Sequence, residues 1–340
     1  MTGSHDRIVT VSMVSDTLPN VRFWVDRTLR TGVDHMLVFL DDHRPDVQAW
    51  LEQHPMVSVV HTDAAYWNHD RPTPLPDRQM VNANLSLAAL AKVPSAGWLF
   101  HIDVDEALSF DRETFLELDP RAARFPTLEA VAKRRWRGGE PKYFKKQPRP
   151  EDLYALAGLG AIARPDLDAY FRGHHLGKTG VRPSPDVRFR VHSVYEHPDT
   201  KIETIIPPDM HLLHYASWCL DDFVDRWRDF RPEDAAGRPF RSKNIGTAFY
   251  TLRNHPAMSQ AQRDEAVGEL FDRNISDDIP LLRDFGLLVD NPLRLDQPAR
   301  PMPREDVALL ETRLKELLHV DKTPYKSQLL QVGRRTDGSR

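Results

Sequence analysis

Four short apolar runs, separated by segments with helical spacing, constrain this chain more than anything else in it. Ile8 to Val14, Met36 to Leu40, Met56 to Val60 and Trp98 to Ile102 are apolar or β-branched almost throughout, as strands covered on both faces are. After the first run, Val21, Trp24/Val25 and Thr28/Leu29 recur at spacings of three and four, and Gly32 stands where a helix C-terminal glycine belongs. Asp46 to Gln53 reads as a short helix. A proline-rich loop from His61 to Asp77 then leads into a longer helix, Arg78 to Val93, on which Gln79, Asn82 and Ser86 form one polar ridge. The alternation predicts an α/β fold, with a mostly parallel central sheet and helices on both faces. Ligands of such sheets bind beyond the carboxyl ends of the strands. Asp16, Asp41/Asp42 and Asp103/Asp105 all fall at such ends.

Composition excludes several classes of function. The 340 residues carry 46 Lys and Arg against 50 Asp and Glu, a net charge of -4, which argues against a dedicated nucleic-acid binder. The one cysteine, Cys219, can form no internal disulfide, so a reducing, cytoplasmic location is expected. The N-terminus shows no signal pattern. The longest apolar run, Leu153 to Ala163, falls short of the ~20 residues that cross a bilayer. No transmembrane segment is therefore expected, and peripheral membrane contact stays open.

Asp103 and Asp105 flank Val104 directly after the fourth strand. In an extended segment, residues i and i+2 point the same way, so both carboxylates would face one ligand. Two adjacent carboxylates repel each other, and a divalent cation with oxygen ligands, Mn²⁺ or Mg²⁺, is the usual compensation. The alternative is that the acids cap a turn or helix. The position after a buried strand in a βα array favours the metal.

Asp42 after the second strand, Arg78-Gln79-x-x-Asn82 opening a helix, and Trp98-Leu-Phe-His-Ile-Asp-Val-Asp-Glu106 together resemble the GT-A glycosyltransferases. The likeness is to the family 2-like branch, whose DxD is followed by Glu. It spans about residues 7 to 110. A second stretch, Gly177-Lys178-Thr-Gly-Val-Arg182, His192 and His211-Leu-Leu-His214-Tyr215, resembles the same branch with more gaps, whereas residues 231 to 340 match nothing.

The resemblance implies a metal-dependent enzyme that moves a sugar from a nucleotide-diphospho-sugar, expected to be a UDP-sugar, to a glycan, lipid-linked or small-molecule acceptor, with inversion. Asp103 and Asp105 would hold the metal, and His214, or else His211, would complete its coordination. Each histidine is equally a candidate core residue. The run from Met210 to Tyr215 looks strand-like, so only one of the pair is expected to reach a cleft. Asp42 and Asp16 would accept hydrogen bonds from the base or ribose, although turn capping explains Asp16 equally well. Arg78, beside Gln79 and Asn82, would pair with phosphate or with the acids.

Lys178 and Arg182 close a glycine-rich segment, Gly173 to Gly180, read as a mobile loop that places basic side chains over a diphosphate. It is not a P-loop, because three residues rather than four separate the glycines and Pro183 and Pro185 forbid the helix that must follow. Glu196 and His192 are the candidate bases, by position alone. The basic segment Lys133 to Arg137 reads as a solvated face or an acceptor-side insertion. Trp218 to Phe230, 259 to 285 and 303 to 319 read as helices.

The expected organisation is a catalytic domain over 1–230, a helical C-terminal extension over 231–325 and a flexible tail over 326–340. The nucleotide half of the catalytic domain would cover about 7–110 and the acceptor half 111–230. Two other functions remain on this evidence. One is a nucleotidyltransferase acting on a sugar phosphate, which lacks its usual glycine-rich first loop here. The other is an inactive sugar-nucleotide-binding protein.

Overall fold

The computed structural model describes residues 5–42, 44–190, 192–196, 200–232 and 244–326. The expected tail beyond Lys326 lies outside the described residues. The first elements are β1 (Arg7–Val14), α1 (Leu18–Arg30), β2 (His35–Leu40), α2 (Pro45–Glu52), β3 (Val57–His61), α3 (Leu75–Leu90) and β4 (Ala96–His101). They follow the predicted alternation to within a few residues at each end. β5 (Glu106–Ser109), α4 (Arg112–Glu117), β6 (Ala122–Phe125), β7 (Thr127–Ala130), β8 (Tyr143–Lys145), α5 (Pro150–Gly158) and α6 (Leu167–Tyr170) come next. Then follow β9 (Lys178–Val181), β10 (Val187–Arg190), β11 (Ser193–Glu196), β12 (Thr200–Lys201) and β13 (His211–His214). The chain continues with α7 (Leu220–Trp227), α8 (Asn244–Arg253), α9 (Gln260–Asn274), α10 (Ile279–Asp284), β14 (Leu288–Asp290) and α11 (Arg304–Leu317).

The chain forms two compact units, each made of discontinuous segments. One comprises Met1–Pro126, Leu176–Leu212 and Leu293–Arg340, and the other Thr127–His175 and Leu213–Pro292. This differs from the expected split at residue 230, since the described residues of the expected C-terminal extension are divided between the two units. Its last helix returns to the first unit because α11 carries an apolar stripe, Leu310 and Leu314, that is buried in the same core as Val81 and Leu85 of α3.

The first unit contains a six-stranded sheet in the order β3-β2-β1-β4-β9-β6, of which β3, β2, β1 and β4 run parallel and β9 antiparallel to its neighbours. Alternate residues sort to its two faces. Val9, Val11, Leu37 and Phe39 pack with α3 and α11, whereas Ile8, Val14, Met36 and Val38 pack with Trp24 and Val25 of α1 and Val47 and Leu51 of α2. Helices on both faces explain why these strands are apolar at consecutive positions. A strap before α11 is fixed by Gln297, whose side-chain amide donates to Phe110 O and Thr31 O and accepts from Arg112 N. Beneath it, Arg112 and Asp34 form a buried ion pair at 2.7 Å.

In the second unit, β14, β8 and β7 form an antiparallel ladder. One core there joins Val131, Trp136, Leu153 and Leu156 to Leu282 and Leu287; another joins Phe223 of α7 to Phe249 of α8 and Phe271 of α9.

Candidate functional site

The strand order 3-2-1-4 places successive crossovers on opposite sides of β1, so the carboxyl ends of β1 and β4 flank a topological switch point. Val11 lies opposite His101, and the Ile102 amide still donates to Val11 O at 3.1 Å. Beyond that bond the two chains part, and Asp103 begins the turn.

That turn is not the extended segment expected from the sequence. Glu106 N donates to Asp103 O at 3.1 Å, and the Glu106 carboxylate reaches back to accept from Asp103 N at 2.7 Å. The backbone reverses over Asp103-Val104-Asp105-Glu106, so the argument that positions i and i+2 share a direction does not apply. Closing the turn leaves the Asp103 amide without a strand partner, and the Glu106 side chain supplies one. Glu106 is fully buried, while the Asp103 side chain is 27% exposed.

Lys178 lies between these carboxylates, 2.8 Å from Asp103 Oδ2 and 3.4 Å from Glu106 Oε2. Gln79, projecting from α3, donates to the other Asp103 oxygen at 2.6 Å, and His101 Nε2 approaches it at 3.9 Å. Burial pushes the Asp103 carboxyl up, but Lys178 and then His101 outweigh it and hold the group below the ordinary carboxylate range. Burial works against the Lys178 ammonium too, yet Glu106 and Asp103 raise its pKa. Asp103 and Lys178 are therefore both ionised at neutral pH. Asp105 lies close enough to raise the Asp103 pKa by repulsion.

The formal charges of Asp103, Asp105, Glu106 and Lys178 sum to −2, the charge that one divalent cation balances. Asp103 and Glu106 offer oxygen atoms within 4.8 Å of each other. Carboxylate oxygens at these positions suit a hard cation such as Mg²⁺ or Mn²⁺.

The expected glycine loop is a strand from Lys178 onward. Gly180 is required not for mobility but because an added Cβ would lie 2.2 Å from the Phe100 ring, and Gly177, at φ +73°, lies against the Phe125 carbonyl. Arg182 follows that strand, stacking on Trp98 at 5.0 Å and donating to Pro120 O and to Asp119. These contacts hold it to the fold instead of leaving it over a ligand.

Arg78 donates to Pro72 O, Thr73 O and Asp41, which also pairs with Arg71 at 2.7 Å. Arg78 thus ties the proline-rich loop to the end of β2, a use of Asp41 beyond ordinary turn capping. Asn82 accepts from the Tyr66 hydroxyl at 2.6 Å. Asp42 is exposed and accepts from Ser15, while Asp16 accepts from Thr17 N and the Asn20 side chain at the start of α1. His192 Nδ1 lies 3.1 Å from Gly177 O. Glu196 forms a two-pronged pair with Arg121, at 2.6 and 3.2 Å, which holds its carboxyl below the usual range.

β13 confirms the strand expected at His211 and His214. His214 is buried beside Glu129 in the second unit, with its Nδ1 3.5 Å from Glu129 Oε2. Glu129 also accepts from the Arg172 and Gly173 amides and pairs with Lys145 at 3.2 Å, while Lys145 and Arg172 both reach Asp277. Burial raises the Glu129 carboxyl, but Lys145, His214 and Arg172 bring it far below its ordinary value. His211 is half-buried, and burial lowers its imidazole pKa.

From the sequence alone, His101 and Glu106 carry no expected role. The first was detectable as the residue two before Asp103 on a strand. The second stood in the motif as an acid entering another apolar run.

No family model matches the chain, and no curated protein matches it. Among solved structures it is similar to HddC from Yersinia pseudotuberculosis at 12% identity and a TM-score of 0.31, over 66% of this chain and 99% of that one.

Proposed function

We propose that the chain is a metal-dependent glycosyltransferase of the GT-A type, taking a sugar from a nucleotide-diphospho-sugar, a UDP-sugar by expectation, and passing it to a hydroxyl of a glycan, lipid-linked or small-molecule acceptor. The observation that carries this reading is the acidic turn at the switch point, formal charge −2, in which Lys178 and Gln79 hold the Asp103 carboxylate. Asp103 and Asp105 hold the cation in this reading, and Gln79 and Lys178 fix the orientation of Asp103. When bound, the cation supplies positive charge to the departing diphosphate, whose charge grows as the sugar leaves. Lys178 neutralises one buried carboxylate, so one divalent ion suffices. Asp42 and Asp16 stand at the nucleoside side. Of the two candidate bases, His192 is retained, because an Nδ1–H donated to Gly177 O leaves Nε2 as the basic atom, whereas Arg121 reduces the basicity of Glu196.

A thermal-shift screen of UDP- and GDP-sugars, each with and without Mn²⁺, tests the reading, since a ligand of the native state raises the melting temperature. A shift that requires both nucleotide and metal is expected, followed by release of nucleoside diphosphate on incubation with acceptor. Release of pyrophosphate from a nucleoside triphosphate and a sugar phosphate would instead identify a nucleotidyltransferase and overturn the assignment.

A further inference from the structure

The second unit holds a charge anomaly that the proposed reaction does not use. Residues 133–149 contain eight basic side chains and one acid, Glu140, a net of +7 in a chain whose total is −4, so everything else sums to −11. Three of the eight are committed within the fold: Arg134 to Asp272, Lys145 to Asp277 and Arg149 to Asp152. The other five, Lys133, Arg135, Arg137, Lys142 and Lys146, are exposed, and among the described residues no ion pair holds them. Arg283, also exposed, adds a sixth charge beside Tyr143, 5.7 Å from its ring.

An exposed apolar loop borders the same small core. Leu159, at the end of α5, is 64% exposed, and Tyr154, one turn earlier, is 70% exposed. Ala161 and Ala163 follow, both exposed, while Ile162 between them turns inward to the cluster that holds Trp136 and Tyr143. Gly160, at φ +77°, shapes the turn that presents this loop.

We propose that this face of the second unit docks on an anionic lipid bilayer as a peripheral contact. Clustered Lys and Arg beside a short apolar loop fit lipid headgroups, because phosphate charge attracts the cations while Leu159 and Tyr154 enter the headgroup boundary. Nucleic acid fits less well. Bases stack on open aromatic faces, and of the three aromatics here only Tyr154 is open, since Lys142 and Arg283 lie over the Tyr143 ring and Trp136 is buried under Lys133. The inference is independent of the reaction assigned to the acidic turn.

Co-sedimentation of the full chain with vesicles tests it. The probes are phosphatidylcholine alone and phosphatidylcholine with about one third phosphatidylglycerol, with poly(U) RNA in a parallel arm. Binding to the anionic vesicles is expected, and it should fall as NaCl rises from ~0.1 M to ~0.5 M. Changing Lys133→Gln, Arg135→Gln, Arg137→Gln and Lys142→Gln together should reduce it roughly 100-fold or more. Leu159→Ser alone should weaken it while leaving its salt dependence intact, and both variants should keep the wild-type melting temperature. Absence of vesicle binding, equal binding to the neutral vesicles, indifference to the four substitutions, or poly(U) binding in place of vesicle binding would each overturn the proposal.

Discussion

At the scale of single residues, the arrangement turns on Lys178. The buried Glu106 carboxylate and the partly exposed Asp103 beside it are tolerable only because one ammonium lies between them, and removing it leaves an uncompensated buried charge at Glu106. Lys178→Met should therefore cost about 3 kcal/mol of stability, read from denaturant unfolding. Adding Glu106→Gln to that variant should recover part of the loss, because the second charge goes with the first. Equal stability of wild type and Lys178→Met would remove the ammonium from this account. The sequence displayed the acids but not their counterion, since nothing local marks a lysine 72 residues beyond Glu106 as its neighbour. Gln79 was visible as part of a polar ridge, and only the packing of α3 against the sheet brings it to Asp103.

Among the elements, β9 shows why glycine is ambiguous in a single sequence. Glycines mark loops, and they also mark places where another group comes close; Gly180 is the second kind, pressed against Phe100. Gly180→Val should destabilise the fold by ~2 to 3 kcal/mol through overpacking, lowering the melting temperature, whereas a flexible loop would absorb the same change. Strands β1 to β4 were legible because helices cover both faces and force apolar residues at consecutive positions. The return of α11 to α3 was not. An amphipathic helix specifies that a partner exists but not which one, so the interleaving of the two units left no sequence signal.

Over the whole molecule, protonation sets a further expectation. His35 is buried at the start of β2, where it contacts Ser58 at 2.9 Å, and burial with some help from His54 pushes its pKa down from 6.5 to about 4. Because the folded value is the lower one, the unfolded chain binds the proton more readily. The stability from keeping His35 neutral is complete above pH 6.5 and is lost as pH falls to about 4, a change of about 3 kcal/mol. Denaturant unfolding across that window should show the loss, and His35→Gln should flatten it; an unchanged slope in the variant would assign the effect to other groups.

The most direct test of the central claim is calorimetric titration of UDP into the full chain with and without Mn²⁺, repeated on Asp103→Asn and Asp105→Asn. Binding that needs the metal in wild type and disappears in both variants, with their melting temperatures preserved, is the predicted result. Metal-independent binding, or binding that persists in both variants, would contradict the assignment of the acidic turn as a cation-mediated diphosphate site.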